Sequence, residues 1–293
     1  MHLNHLSRPC PGTIRYVRYY AQREAQLGIS SINIPVLARA CSLLDFEFGN
    51  PIEIHSSNTD LTRRCETAAL VGLETCVQNR LLISGNFESF AIHFQPLALN
   101  HLFGLPGFEL TDRNHAAHAV LGSAISKLRQ RLGEARSFEE RVRLADQFIA
   151  AKSVAAPIHD SIELAANEIV RNKGRCRIDL LAHQTGFSMR SFQRLFRERV
   201  GASPKLYSRI LRFEAALKMK AASPHVSWTT VAQESGYHDQ MHLIHDFRQF
   251  SQGTPTRILG GAGWVFAPQI ESAAQGARTS SFSSSDYFRV VTL

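Results

Sequence analysis

At 293 residues, with 44% apolar and 20% charged side chains, the chain is long enough for two ordinary domains and has the balance of a globular protein. The net charge is +8, and no apolar run approaches the roughly 18 residues of a membrane-spanning helix. Cys10, Cys41, Cys65, Cys76 and Cys176 are odd in number and lack any Cys-x-x-Cys spacing. They argue for free thiols in a cytoplasmic protein, against a disulfide framework or a cysteine zinc site. Met1 to Gly12 has no basic region followed by an apolar core, so no export signal is expected.

In chain order, residues 13–95 read as strands and turns. Phe46 to Phe48 and Ile52 to Ile54 flank Gly49-Asn50-Pro51, which predicts a hairpin. Phe90, Ile92 and Phe94 alternate with Ala91 and His93, as in a strand with one face more buried. The period then changes: Leu97 to Phe103 predicts a short helix, and His115 to Leu132 and Phe138 to Ala151 longer ones. Ser137-x-x-Glu140 matches a capping box. The apolar faces of the helices over 115–151 could close on their own domain or on a second copy in a homodimer. His115-x-x-His118 reads as polar helix surface.

Pro157 marks a boundary, and Asp160 is a natural N-cap for a helix reaching Asn172. The expected division is a β-rich domain with trailing helices over 1–152, a linker over 153–159, an all-α domain over 160–259 and a poorly ordered tail over 260–293. A strand is the alternative for Tyr287 to Leu293. The class is therefore α+β.

Within the all-α domain a single pattern occurs twice. Leu181-Ala182-x-x-x-Gly186-Phe187, Phe196 and Ser203-Pro204 are followed by Val231-Ala232-x-x-x-Gly236-Tyr237, Phe247 and Thr254-Pro255. Alanine lets two helices approach, and glycine supplies a left-handed turn between them, as in a helix-turn-helix. Ser203-Pro204 starts a linking helix that ends near Ala222, and Thr254-Pro255 starts a final short one. Residues 171–220 carry 13 Lys/Arg against 3 Asp/Glu, a balance of +10 that exceeds that of the whole chain. Together the repeat and the charge point to double-stranded DNA.

In such a unit the second helix enters the major groove. Phe192, Leu195 and Phe196 mark the inner face of the first one, over Ser188 to Arg199, leaving Arg190, Gln193, Arg194 and Arg197 outward. Arginine can pair with guanine, glutamine with adenine, and further arginines with phosphates. The bland alternative is a solvated polar face.

The arrangement closely resembles the DNA-binding domain of AraC/XylS transcription regulators. The residues that carry it are Leu181-Ala182-x-x-x-Gly186-Phe187-Ser188, Arg194-x-Phe196, Gly201-x-Ser203-Pro204 and Tyr207. In the second half they are Val231-Ala232-x-x-x-Gly236-Tyr237-x-Asp239-Gln240-x-His242, Phe247 and Thr254-Pro255. The resemblance implies seven helices, base contacts from Arg190, Gln193 and Arg194, and a second set from Gln240, Met241, His242 and His245. This chain departs from the family's usual arginine at His245 and its usual glycine at Gln252. Residues 221–270 hold only Arg248 and Arg257 against Glu234, Asp239 and Asp246, so the first unit is expected to supply most of the affinity.

The first half is similar to a sensory domain attached to many AraC-type proteins, through Phe94-x-Pro96, Phe103-Gly104-Leu105-Pro106 and Glu109-Leu110-Thr111-Asp112. That implies a cupin-like fold for a small-molecule effector or for self-association, with RNA polymerase as a further partner of such a regulator. No cofactor, metal or membrane is expected. His238, His242 and His245 share a helical face and could be read as zinc ligands, but their place at the start of a reading helix already accounts for them. Two other readings stand: a cysteine-dependent DNA-repair alkyltransferase carrying the same domain, although no cysteine has the Pro-Cys-His-Arg surroundings of such an enzyme, and a regulator dependent on a protein partner.

Overall fold

A computed structural model describes residues 2–57, 59, 61–153, 160–255 and 258. The first half is an antiparallel sheet of β1 (His2–Ser7), β2 (Val17–Pro35), β3 (Leu43–Glu47), β4 (Glu53–Ser56), β5 (Thr62–Arg64), β6 (Ala68–Val71), β7 (Asn79–Phe94) and β8 (Asn114–Ala116). The order is β1-β2-β7-β3-β6-β8, with β4 on the other end of β7 and β5 beyond it. The two long strands pair over most of their length, with a register shift between Gln26 and Ser31 and a left-handed Gly85 opposite it. That irregularity lets the sheet bend and curl around a cavity.

Helices α1 (Ala98–Phe103), α2 (Gly107–Leu110), α3 (Ala117–Leu121), α4 (Ala124–Glu134) and α5 (Phe138–Lys152) follow. Ser137 caps α5, accepting from the Glu140 N–H at 3.2 Å. Leu44, Phe46, Phe90, Ile92 and Phe94 form one face of the sheet and pack on Ile125, Leu128, Leu132, Val142 and Ile149. The apolar faces of α4 and α5 are thus used inside their own domain.

Three expectations need correction. The segments around Gly49-Asn50-Pro51 do not form a hairpin: β3 and β4 each pair with a different half of β7. The turn instead crosses the bend of β7, where Asn50 Oδ1 accepts from the Asn86 N–H at 2.8 Å. The helix expected over 115–132 is a strand and two helices, because Gly122, at φ 81° and ψ −176°, breaks the run. His115 accordingly lies on β8, opposite Leu70, rather than on a helix surface. Finally, both faces of the strand at 90–94 are buried, His93 included. Its ring stacks on Tyr19 at 4.2 Å, and burial beside arginines holds its pKa well below the usual imidazole value.

The second half contains α6 (Ser161–Arg171), α7 (Ile178–Gln184), α8 (Met189–Val200), α9 (Pro204–Ala222), α10 (Trp228–Glu234) and α11 (Gln240–Ser251). The final helix expected after Thr254 falls mostly outside the described residues, as do 154–159 and the tail. The long α9 lies between the two helix pairs; Tyr207, Ile210, Phe213 and Leu217 meet Phe196 on one side and Phe247 and Phe250 on the other. Leu37, Ala38, Ala40, Leu73 and Val77 of the first half belong to the same buried core. The halves are therefore packed together rather than strung on a tether.

Candidate nucleic-acid interface and the cavity behind it

Each helix pair is built from the repeated pattern. Ala182 and Ala232 are buried where the pairs cross, and Gly186 and Gly236 sit in the turns at φ 74° and 78°, a backbone region that strains other residues. The second helix of each pair has its own N-cap: Ser188 accepts from the Ser191 N–H at 3.3 Å, and Asp239 from the His242 N–H at 2.7 Å. That hydrogen bond, with His238 beside it, holds the Asp239 carboxyl below its ordinary range.

Helix α8 buries Phe192 and Phe196 and leaves Arg190, Gln193, Arg194 and Arg197 exposed on the opposite side. Helix α11 buries Leu243, Phe247 and Phe250 and exposes Gln240, Met241, His242 and His245. All eight residues expected to face outward do so. His238 lies beside Asp239 at 3.1 Å, while the His242 ring meets Tyr237 edge-on at 5.4 Å.

The basic window is less free than its charge suggests. Arg177 pairs with Asp179, Arg199 with Asp160 and Arg209 with Asp246, while Arg212 donates to the Gly174 carbonyl at 3.0 Å and Arg175 to that of Glu234 at 3.1 Å. These arginines hold the domain together. Arg190 and Arg197 form no ion pair among the described residues, and Arg194 has only the exposed Glu198 at 3.5 Å. The accessible positive charge is concentrated on α8.

In the second unit, the Asp246 side chain is 0% exposed and meets Arg209 of α9 at 2.6 Å. Arg209 also lies over the Phe250 ring at 5.2 Å. One of the acids counted against this unit is therefore an internal strut rather than a surface charge repelling phosphate.

Both exposed helices are held at their C-terminal ends by the first half. Gly201 caps α8 with φ 107°; its carbonyl accepts from Thr111 Oγ1 at 2.9 Å, and a side chain there would strike that hydroxyl. The Phe250 carbonyl accepts from the Ala38 N–H at 3.0 Å. Gln252, the left-handed cap of α11 at φ 53°, donates from Nε2 to the Val77 carbonyl at 3.0 Å. The departure from glycine at this position thus fastens the second unit to the first half. Across the same junction Glu214 accepts from the Ala40 N–H at 2.7 Å, and Arg15 pairs with Glu163 at 2.7 Å.

A cavity of about 620 Å³ lies in the curl of the sheet, and Ser251, Gln252 and Ile258 form a section of its wall. Arg23, Asp45, Glu47 and His115 line it, together with an apolar set that includes Ile34, Ile52, Ile83 and Phe87. Sequence reasoning missed these residues. The available signal was the alternation Leu43-x-Asp45-x-Glu47 against Leu44 and Phe46, which reads as one wet face and one dry one. Burial pushes both carboxyls up, Glu47 to about 7, with the neighbouring Asp45 adding to the effect on Glu47.

Two helix-turn-helix pairs on one linking helix, each presenting a polar face, define a DNA-binding protein. Residues 181–260 match the family described as "Helix-turn-helix domain", and residues 6–116 match a "Domain of unknown function (DUF6597)". The C-terminal domain is of the AraC type, and the chain is a DNA-binding transcription regulator of that kind. No curated protein sequence matches it. Among solved structures, apo ToxT from Vibrio cholerae is similar at 12% identity and a TM-score of 0.46, covering 82% of this chain and 97% of its own. ToxT bound to an unsaturated fatty acid aligns at 10% identity and a TM-score of 0.44, covering 88% and 94%. The AraC-like transcriptional activator CuxR aligns at 12% identity and a TM-score of 0.28, covering 71% and 84%. Among the described residues no helix is long and apolar enough to cross a membrane.

Proposed function

We propose that Arg190, Gln193, Arg194 and Arg197 read bases and phosphates in one major groove, that Gln240, Met241, His242 and His245 read the next, and that a small molecule in the cavity controls the second contact. The observation that carries this reading is the shared wall: Gln252 caps the second reading helix, lines the cavity and bonds to Val77. A ligand there touches the end of a helix whose other end faces DNA. The boundaries 1–152 and 160–259 serve this division of labour, and a cytoplasmic location follows from work on DNA.

The reading assigns no catalysis. Burial pushes the Cys41 and Cys65 thiols up, away from the thiolate that an alkyl-accepting cysteine needs. RNA polymerase and a second copy of the chain are the further partners of this reading. Fluorescence anisotropy of purified chain on labelled promoter fragments tests the core of it. Specific binding by the chain alone is expected; retention that requires a second protein would favour the partner-dependent alternative.

A further inference from the structure

The cavity has two unlike ends. Ile34, Ile52, Ile83 and Phe87 make a dry cluster within its lining. Elsewhere in the lining Asp45 and Glu47, two residues apart on β3, share one face of the strand, with the Glu47 residue only 6% exposed. The neighbouring cations are already engaged. Arg23 meets Asp45 Oδ2 at 3.3 Å, Arg39 donates to the carbonyls of Cys41 and Gly72, and Arg80 donates to Asn33 Oδ1 and to its carbonyl.

Acceptors are left over. Asp45 Oδ1 and Asn114 Oδ1 are buried with no hydrogen-bond partner, and both residues line the cavity. A buried acceptor without a donor costs free energy that a suitable ligand recovers. A carboxylate ligand would add acceptors and negative charge beside two carboxyl groups already disfavoured by burial. An ammonium brings three donors and the opposite charge.

We infer that the cavity takes a small amphipathic cation, a primary amine whose ammonium sits at Asp45 and Glu47 and whose hydrocarbon body lies on Ile52, Ile83 and Phe87. This rests on the reading of the cavity as the effector site and names the chemistry of its ligand. The volume suits such a molecule, since small-molecule sites span about 300–1,000 Å³.

Isothermal titration of the full chain with hexylamine, hexanol and hexanoate at about pH 8, where Glu47 is ionised and the amine still protonated, separates head-group chemistry from hydrophobic burial. The amine should bind about tenfold or more tighter than the other two, the margin of one charge-assisted hydrogen bond. Glu47→Gln and Asp45→Asn should each remove that margin while leaving hexanol unchanged. Glu47→Gln deletes a disfavoured buried charge without changing volume, so it keeps the test sound if Asp45→Asn unfolds. Tighter binding of hexanoate, no binding of the amine, or amine binding indifferent to Glu47→Gln overturns the inference. Promoter-fragment binding measured on the same samples separates the two levels: retained DNA binding with a failed amine test sinks only the ligand class, whereas lost DNA binding in the unsubstituted chain sinks the regulator reading beneath it.

Discussion

The two helix-turn-helix units share one backbone plan and are wired differently. The first turns unpaired arginines to solvent and ends in a glycine cap against Thr111. The second has histidines, glutamine and methionine at its outer face, keeps its acid Asp246 inside and ends in a glutamine that enters the wall of a cavity. The lesson is that a structural repeat can separate strength of grip from its control: the charge sits on the copy farther from the cavity, and the coupling on the copy that helps to enclose it.

The largest effect should come from the strut of the second unit. Arg209→Ala leaves Asp246 buried and uncompensated, an error that costs about 3–5 kcal/mol, and urea unfolding should register it as a lower midpoint. Hydrogen exchange should place the loosening in α10 and α11 before α7 and α8; uniform loosening would erase the distinction between the units. Next comes DNA affinity. Arg194→Ala should cost about 1–3 kcal/mol of promoter binding, with His245→Ala costing clearly less. Equal losses in an anisotropy titration would show both units gripping alike.

A third test uses pH. The Glu47 carboxyl stands at about 7 in the folded chain against an ordinary 4.5, and Glu74, buried near Arg39 and Asp112, stands at about 7 as well. Folded pKa values above the unfolded ones mean stability that is complete below about 4.5 and lost as pH rises to about 7. Asp45, Arg23 and Cys65 face Glu47 and set the size of its share. Melting temperatures should fall across this window, on the order of 1–3 kcal/mol per group, and Glu47→Gln should flatten some of the fall. An unchanged slope in that variant would remove Glu47 as the source.

The smallest effect on stability belongs to Gln252→Gly. Glycine relieves the left-handed cap while the bond to Val77 disappears, two effects of about 1 kcal/mol with opposite signs. Coupling should suffer instead: exchange at the end of α11 should rise, and ligands in the cavity should cease to alter DNA binding. Retained ligand control in this variant would relocate the connection.

The reading helices were legible because their signals are local. Phe192 and Phe196 repeat at helical spacing, and Gly186, Ser188 and Ser203-Pro204 punctuate the chain within a few residues. The cavity was not, because its walls meet only through strand register. Asp45 lies opposite Ala91, and Arg23 opposite Ser89, partners more than forty positions away in sequence. Polar residues alternating with apolar ones on β3 read as a solvent face, and only the curl of the sheet makes that face internal. The missed break at Gly122 has the same origin: apolar spacing ran on through 115–132, while the pairing of Asn114–Ala116 with β6 was a long-range event. The basic window misled in the other direction, since a count of arginines cannot tell those that meet DNA from those spent on Asp160, Asp246 and backbone carbonyls.

Helix α9 has 19 residues, a rod of about 28 Å at 1.5 Å per residue, and the reading helices are pinned at one end of each to a common body. Such a caliper has a fixed opening and a fixed phase. Successive major-groove faces recur about every 34 Å along a duplex, so the protein can meet both only where the double helix bends or twists to its gauge. Its operators are therefore selected for pliability between the two contacted stretches as much as for the bases within them, and a single inserted base pair there is read as an error of angle.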